Sequence, residues 1–342
     1  MRKEMVTRHF DAVNRSFQRL RHRKRRVIAV TAKGHRYTLK ALEWPLHECG
    51  VALERWSYDR FLGTKRLPWG VWILTDFDRV HPWILEVAGQ LHDRLVAAGC
   101  PVLNDPREAL GRAGLLRQLH AAGINRFACW LPVLGERPTR FPVFLRTLAA
   151  HRGVLTDLLP DAMAAESALA TATGQGHPLS DLAFIEYAAE PEGDNGVYRK
   201  HACYIIGDRI VRALTVTDAS WVAKNGVMGA ATDAQYANDR AETEVYPHEA
   251  LMRRVFALAG TRFGRIDFGM VGGAPQIYEL NTNPYLSFQT NHPNADRAET
   301  QLMIRERLVN AFVDLIPPPA PSVDVADVIS RRERRRRSWG QP

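Results

Sequence analysis

The chain has 342 residues, 46% of them hydrophobic and 24% charged, a balance suited to a globular body of two or three compact units. No apolar run approaches the roughly 20 residues of a membrane span. The basic start, residues 1–26, lacks the apolar centre of a secretory signal, and its acidic residues and shortage of Ser argue against a transit peptide. The formal net charge of +9 gathers in the runs 19–26 and 331–337, which read as solvated tails. Without interleaved aromatics or a DNA-reading motif, nucleic acid is not an expected partner. Cys49, Cys100, Cys129 and Cys203 form no metal-type pair and are expected as reduced thiols of a cytoplasmic protein.

In chain order, residues 70–77 are a short apolar run suited to a buried strand. Ile84, Ala88, Leu91 and Leu95 then form one stripe of a helix opening near Pro82 and stopping at Gly99. Residues 101–106 read as a second short strand and a turn, so the order predicts an open α/β first domain. A helix is expected over 107–122, strands over 126–131 and 142–145, an Ala-rich helix over 161–173 and a strand over 182–187. Residues 190–196 are a polar loop. A Gly-Asp turn joins 201–206 and 209–214 as a hairpin. Leu251, Val255 and Leu258 mark one helix; Ile304, Leu308, Phe312 and Leu315 mark the last, which the prolines from Pro317 onward end. The remainder to Pro342, Pro-rich and then Arg-rich, is expected to be disordered.

The chemistry concentrates in residues 265–284. Two strand-like runs flank Gly272-Gly273, a hairpin signal. Alternation puts Arg265 and Asp267 on one face of the first run, and Ile277, Glu279 and Asn281 on one face of the second. A three-residue loop would set Asp267 opposite Glu279, with Cβ atoms ~5 Å apart. Like charges so close repel, and a divalent cation offsets them best. Asp, Glu and Asn oxygens are the hard ligands Mg2+ takes, with phosphate oxygens completing the shell. The spacing alone fits equally well a surface hairpin with a solvated pair, or an Asp267–Arg265 salt bridge.

Arg-x-Asp followed twelve residues on by Glu-Leu-Asn-Thr-Asn-Pro resembles the ATP-grasp superfamily, whose members include D-alanine–D-alanine ligase, glutathione synthetase and the ribosomal-protein glutamate ligase. The resemblance implies that Asp267, Glu279 and Asn281 hold Mg2+ against the phosphates of ATP. It implies that Lys200, in Tyr198-Arg-Lys200, faces the γ-phosphate or acceptor, and that Arg265 helps to stabilise the transferring group. Asn104-Asp105-Pro106 and Gly123-Ile124 look like the entry to the family's ATP-binding core. Arg112 and Arg146 stand where the family usually has lysines; arginine keeps the charge and grips phosphate with two parallel donors. His151-Arg-Gly153 would begin the phosphate loop. Phe184-Ile-Glu-Tyr187 resembles the hinge strand whose backbone reads adenine, which brings Glu186 and Tyr187 to the nucleotide, and Glu190 is placed for the ribose hydroxyls.

The resemblance covers roughly residues 104–315 and implies an α/β fold with an α+β core. An N-terminal open α/β domain (1–103) would precede a two-part ATP-grasp core (104–187 and 188–316) and a tail (317–342). The implied activity is ATP- and Mg2+-dependent ligation of a carboxylate to an amine through an acyl phosphate. A small-molecule kinase on the same fold and a nucleotide-binding regulator are the alternatives, the latter kept open by the two Lys-to-Arg changes. Residue by residue, Arg112 could instead be a solvated helix residue and Glu186 a salt-bridged strand residue. Trp221 and Asp218 are candidates to line an acceptor pocket. Segments 190–196 and 225–239 are candidate mobile covers. The expected partners are small-molecule or peptide carboxylates and amines; the sequence names neither, and it leaves homo-oligomerisation open.

Overall fold

A computed structural model describes residues 25–149, 153–224, 226–288 and 291–328. The run Val-Ile-Ala-Val in β1 (Arg26–Thr31) is apolar in both alternating sets, so it suits the middle of a sheet covered on both faces. β1 pairs in parallel with β2 (Ala52–Ser57) and β4 (Val71–Leu74), and β4 with β5 (Val102–Leu103), giving the order β2-β1-β4-β5. Ile28, Val30, Trp72 and Leu74 share a core with Ile84, Leu91 and Leu95 of the helix Pro82–Ala97. The opposite set, Val27, Ala29, Val71 and Ile73, packs with Ile304, Leu308 and Phe312 of the last helix, Ala295–Asp314. This is the open α/β first domain expected from the strand–helix–strand pattern, with two strands, β1 and β2, added ahead of it.

A three-stranded antiparallel sheet follows, in the order β6 (Cys129–Trp130), β8 (Leu182–Glu186), β7 (Val143–Thr147). The helix Ala162–Gly174 covers it through Ala165 and Leu169, and the Asp161 side chain caps that helix by accepting from Ala164 N. The third sheet has six strands. Its path is β11 (Arg209–Arg212), β10 (Val197–Ile206), β13 (Phe263–Val271), β14 (Ala274–Asn281), and β9 (Pro191–Glu192) and β12 (Val216–Asp218) also pair with β10. Cys203, Ile266, Phe268 and Ile277 pack on the helices Arg112–Ala121 and Glu249–Leu258. On the other face Ala202, Tyr204 and Phe263 join the N-terminal core, so the first and third sheets share one apolar interior. Asn104, buried at φ +68, fastens the two: its amide donates to Leu74 O and Phe263 O and accepts from Arg262 N and Phe263 N.

Three expectations are corrected. The helix expected from 107 begins at Arg112, because the Asp105 carboxylate takes Arg107 N at 2.9 Å and holds the intervening residues in a turn. Residues 317–328 are not disordered. β15 (Val323–Asp324) pairs with β3 (Arg66–Leu67), Val325 is 1% exposed in the core of Trp72, and Trp69 donates to Pro318 O. Val323, Val325 and Val328 supply apolar contacts that the Pro- and Arg-rich average conceals. Segment 225–239 is not a bare cover: from Asp233 it is a helix, Asp233–Glu244, with a Thr232/Gln235 capping box and buried Tyr236 and Asp239. The basic runs within 1–24 and 331–337 lie outside the described residues. No helix among the described residues is long and apolar enough to cross a membrane. All four cysteines are free, and Cys49 alone of them is exposed.

Candidate functional site

β13 and β14 turn at Gly272-Gly273, both at positive φ (+55° and +73°), with Val271 paired to Ala274. The loop therefore has two residues rather than three. The register runs to Phe268 opposite Ile277 and then slips past Tyr278, a β-bulge, so that Asp267 pairs with Glu279 and Arg265 with Asn281. The expected opposition of the two carboxylates is reached by a tighter loop plus one extra residue. The bulge also breaks the alternation: Ile277 is fully buried beside Phe268 in the apolar core, not on the Glu279 face. Tyr278 and Glu279 line the cleft instead. Gly269 makes room for this, since a Cβ there would stand 2.2 Å from the Tyr278 hydroxyl, which donates to Ala188 O at 2.8 Å.

Around this pair the sequence has drawn in four cations. Arg265 donates to Asp267 through Nε (2.7 Å) and Nη2 (3.0 Å), and Lys200 Nζ stands 3.6 Å from the same carboxylate. Arg112 Nη2 is 2.8 Å and Arg146 Nη2 3.8 Å from Glu279, and Asn281 Nδ2 is 3.5 Å from Glu279 Oε1. The Asp267–Arg265 salt bridge left open by the spacing is formed, yet it neutralises only part of the cluster. Arg112 is not a solvated helix residue: its side chain is 9% exposed, and its buried Nε and Nη1 make no hydrogen bond. Burial, and after it the neighbouring Arg112, pushes the Arg146 guanidinium down to about 10, still charged at neutral pH. Half-buried cations in surplus over their carboxylates call for an anion. Two carboxylates with an amide beside them suit a hard divalent cation, so the residues fit Mg2+ and a polyphosphate together.

Three cavities meet at this cluster, and Lys200, Lys224 and Asp267 line all three. The first, about 180 Å³, lies between the three- and six-stranded sheets, with Phe144, Ile185, Trp221 and Tyr278 on its walls. Trp221 packs on Phe144 at 5.0 Å and edge-on to Tyr187 at 5.6 Å. The second, about 570 Å³, extends toward Tyr236, Phe288 and Arg297. The third, about 380 Å³, is bounded by His35, Thr38 and Arg79 from the turns that follow strands of the N-terminal sheet.

The remaining expected residues divide. Glu186, Tyr187 and Glu190 line the first cavity, but their polar atoms are engaged. The Glu186 carboxylate accepts from Ala128 N (2.9 Å) and pairs with Arg140 (2.7 Å). The Tyr187 hydroxyl meets that of Tyr198 at 3.2 Å, and burial, then Tyr198, raises its pKa. Glu190 accepts from Gly272 N at 2.8 Å and so pins the hairpin tip. Asp218 accepts from Ser220 N within a turn. His151 and Arg152 lie outside the described residues, while Gly153 lines the first cavity at φ +82. The candidate covers hold each other, through Asn195 Nδ2 to Ala230 O (3.0 Å).

Two features escaped the sequence reading. Lys224 stands over Gly153, 3.1 Å from where a Cβ would be; its signal was a lysine beside Trp221. Asp76, in the left-handed region at φ +58 after β4, accepts from Ala32 N and from Asn283 Nδ2 (2.9 Å), and Thr38 donates to Asn283 at 2.5 Å. Burial raises the Asp76 pKa despite these bonds. Through Asn283 the turns of the N-terminal domain reach the site.

Fold and site together define an α/β protein with a cation-rich carboxylate cluster between two antiparallel sheets. No family model and no curated protein matches the chain. It is similar in fold to solved ATP-grasp ligases. D-alanine–D-alanine ligase from Bacillus anthracis complexed with ATP is 13% identical, over 84% of this chain and 98% of that one, with a TM-score of 0.45. ATP-grasp ligase PsnB complexed with minimal precursor is 15% identical, over 85% and 99%, with a TM-score of 0.49. A RimK domain ATP-grasp protein from Sphaerobacter thermophilus is 14% identical, over 81% and 99%, with a TM-score of 0.44. At such distances the chemistry rests on this chain's own residues.

Proposed function

We propose that this protein is an ATP-grasp ligase that binds Mg-ATP between the three- and six-stranded sheets and joins a carboxylate to an amine through an acyl phosphate. The observation that carries the reading is the Asp267–Glu279 pair, with Asn281 beside it, ringed by Arg112, Arg146, Lys200 and Arg265. The division into an N-terminal domain (1–103) and nucleotide-binding parts (104–187 and 188–316) goes with it.

The apolar first cavity suits a purine, with Phe144, Trp221 and Tyr278 supplying stacking surface and residues 186–190 the hinge. Triphosphate extending from it would meet Arg146, Lys200 and Lys224, where the unbalanced positive charge lies. Asp267, Glu279 and Asn281 would hold Mg2+, which when bound would supply positive charge against the phosphates. Arg265, whose Nε and Nη2 donate to Asp267, would stabilise the charge on the transferring phosphoryl group. Lys200, at the junction of the cavities, stabilises the same charge. The acceptor carboxylate enters through the second cavity, and segments 190–196 and 226–232 flank the junction and limit water entry.

A screen of acids paired with amines in the presence of Mg-ATP tests the reading. ADP and phosphate release should require both an acid and an amine, and mass spectrometry should find the amide. Acid-independent hydrolysis that survives Glu279→Gln, or a stable phosphorylated acceptor without amide, overturns it.

A further inference from the structure

The second cavity has chemistry at both ends. The inner end is Lys200, Arg265 and Asp267; the far end is Arg297, on the helix Ala295–Asp314. Tyr236, Tyr285 and Phe288 also line it. Four cations line the cavity, Lys200, Lys224, Arg265 and Arg297, against Asp267 as the one carboxylate among its lining residues.

Arg297 is an unfavourable place for a cation. It lies in the first turn of its helix, where the N-cap Asn294 accepts from Arg297 N at 3.0 Å, and a positive charge there opposes the helix dipole. Its side chain is 15% exposed. Its nearest carboxylate, Asp239, stands 3.9 Å away without a hydrogen bond and is already held by Arg199 (2.8 Å) and Arg212 (2.5 Å). Arg297 Nη2 donates to Thr215 O at 2.9 Å, but its buried Nη1 makes no hydrogen bond. Thr215 precedes Val216, the cross-strand partner of Lys200, so Arg297 bonds the backbone one residue from the strand position facing Lys200. Neighbouring and diagonal positions on paired strands lie roughly 5–8 Å apart, a small-molecule span.

We propose that the second cavity binds an acid carrying a second anionic group, and that Arg297 is the specificity-determining residue that binds this second anion. The reacting carboxylate lies at the Lys200 end, an assignment that rests on the ligase reading; the anion at Arg297 does not. A planar guanidinium with spare donors suits a carboxylate by paired bonds, and the aromatic walls suit the apolar body between the two anions.

The test is calorimetric binding of matched pairs to the full chain: phenylsuccinate against 3-phenylpropionate, and glutarate against butyrate. The wild type should favour at least one dianion over its monoacid by tenfold or more. Arg297→Met should erase that preference while leaving monoacid affinity, ATP affinity and melting temperature near wild type. Arg297→Lys, which keeps the charge without the fork, should retain part of it and serves if the Met variant does not fold. No dianion preference in the wild type, or a preference undiminished by Arg297→Met, overturns the proposal. A dianion bound through Arg297 but never consumed with ATP and an amine would count against the ligase reading alone.

Discussion

Replacing Arg146 with Ala separates a phosphate-binding arginine from a structural one. In the free protein Arg146 has 14% of its side chain exposed, a distant carboxylate at 3.8 Å and a like-charged neighbour in Arg112. Its guanidinium, pushed from 12.5 to about 10 by burial first and Arg112 second, has lost on the order of 3 kcal/mol of charge stabilisation on folding. Truncation to Ala removes that penalty and also the packing of the aliphatic stem, worth about 1–2 kcal/mol. The two offset, so the melting temperature should move by a few degrees at most. ATP affinity should fall by about 1.5–3 kcal/mol, the worth of a charge-assisted hydrogen bond, or roughly 10- to 150-fold. Calorimetry with Mg-ATP and a thermal melt on the same sample measure both. Unchanged affinity with a large drop in melting temperature would make Arg146 a structural residue and refute the reasoning.

Deleting residues 317–342, or changing Val325 to Asp, should lower the melting temperature, because a buried valine contributes about 1.5–3 kcal/mol and an unpaired buried carboxylate costs more; a melt identical to wild type would mean that the β3–β15 pairing holds nothing. Gly269→Ala should displace Tyr278 from Ala188 O and weaken ATP binding at least tenfold, since a Cβ at 2.2 Å from the hydroxyl cannot be accommodated in place. Wild-type affinity in that variant would show that the tyrosine can move freely. Asn283→Ala should cut the Thr38 and Asp76 bonds across to the N-terminal domain and lower stability by about 1–3 kcal/mol, the range for partners left unpaired; a denaturation curve unchanged from wild type would exclude that bridge.

The hairpin was legible where its signals lie in adjacent residues. The opposition of Asp267 and Glu279 follows from spacing around a Gly-Gly turn, while their metal role and that of Asn281 came from the resemblance, and Arg146 stood out as a charge at the end of an apolar strand. The bulge at Tyr278 was not legible, because it is decided by Gly269 giving room across the pair and by the Ala188 carbonyl 90 residues away. Arg112 was undecided in sequence, since a helix period does not say which face a guanidinium takes; the contact with Glu279 turns it toward the cleft. β1 begins inside a run of basic residues, so its charge average masks the apolar Val-Ile-Ala-Val that follows at once. The docking of residues 317–328 shows the limit of composition: three valines at alternating or near positions outweigh the prolines and arginines around them. Lys224 and Arg297 needed the fold, because their neighbours come from separate strands, loops and helices.

The central claim is a metal-dependent triphosphate site at Asp267, Glu279 and Asn281. Calorimetric titration of ATP into wild type and Glu279→Gln, each with and without Mg2+, tests it most directly. Mg2+ should strengthen ATP binding to wild type at least tenfold, and Glu279→Gln should lose most of that gain while still folding. ATP binding that ignores Mg2+, or a Mg2+ gain untouched by Glu279→Gln, would contradict it.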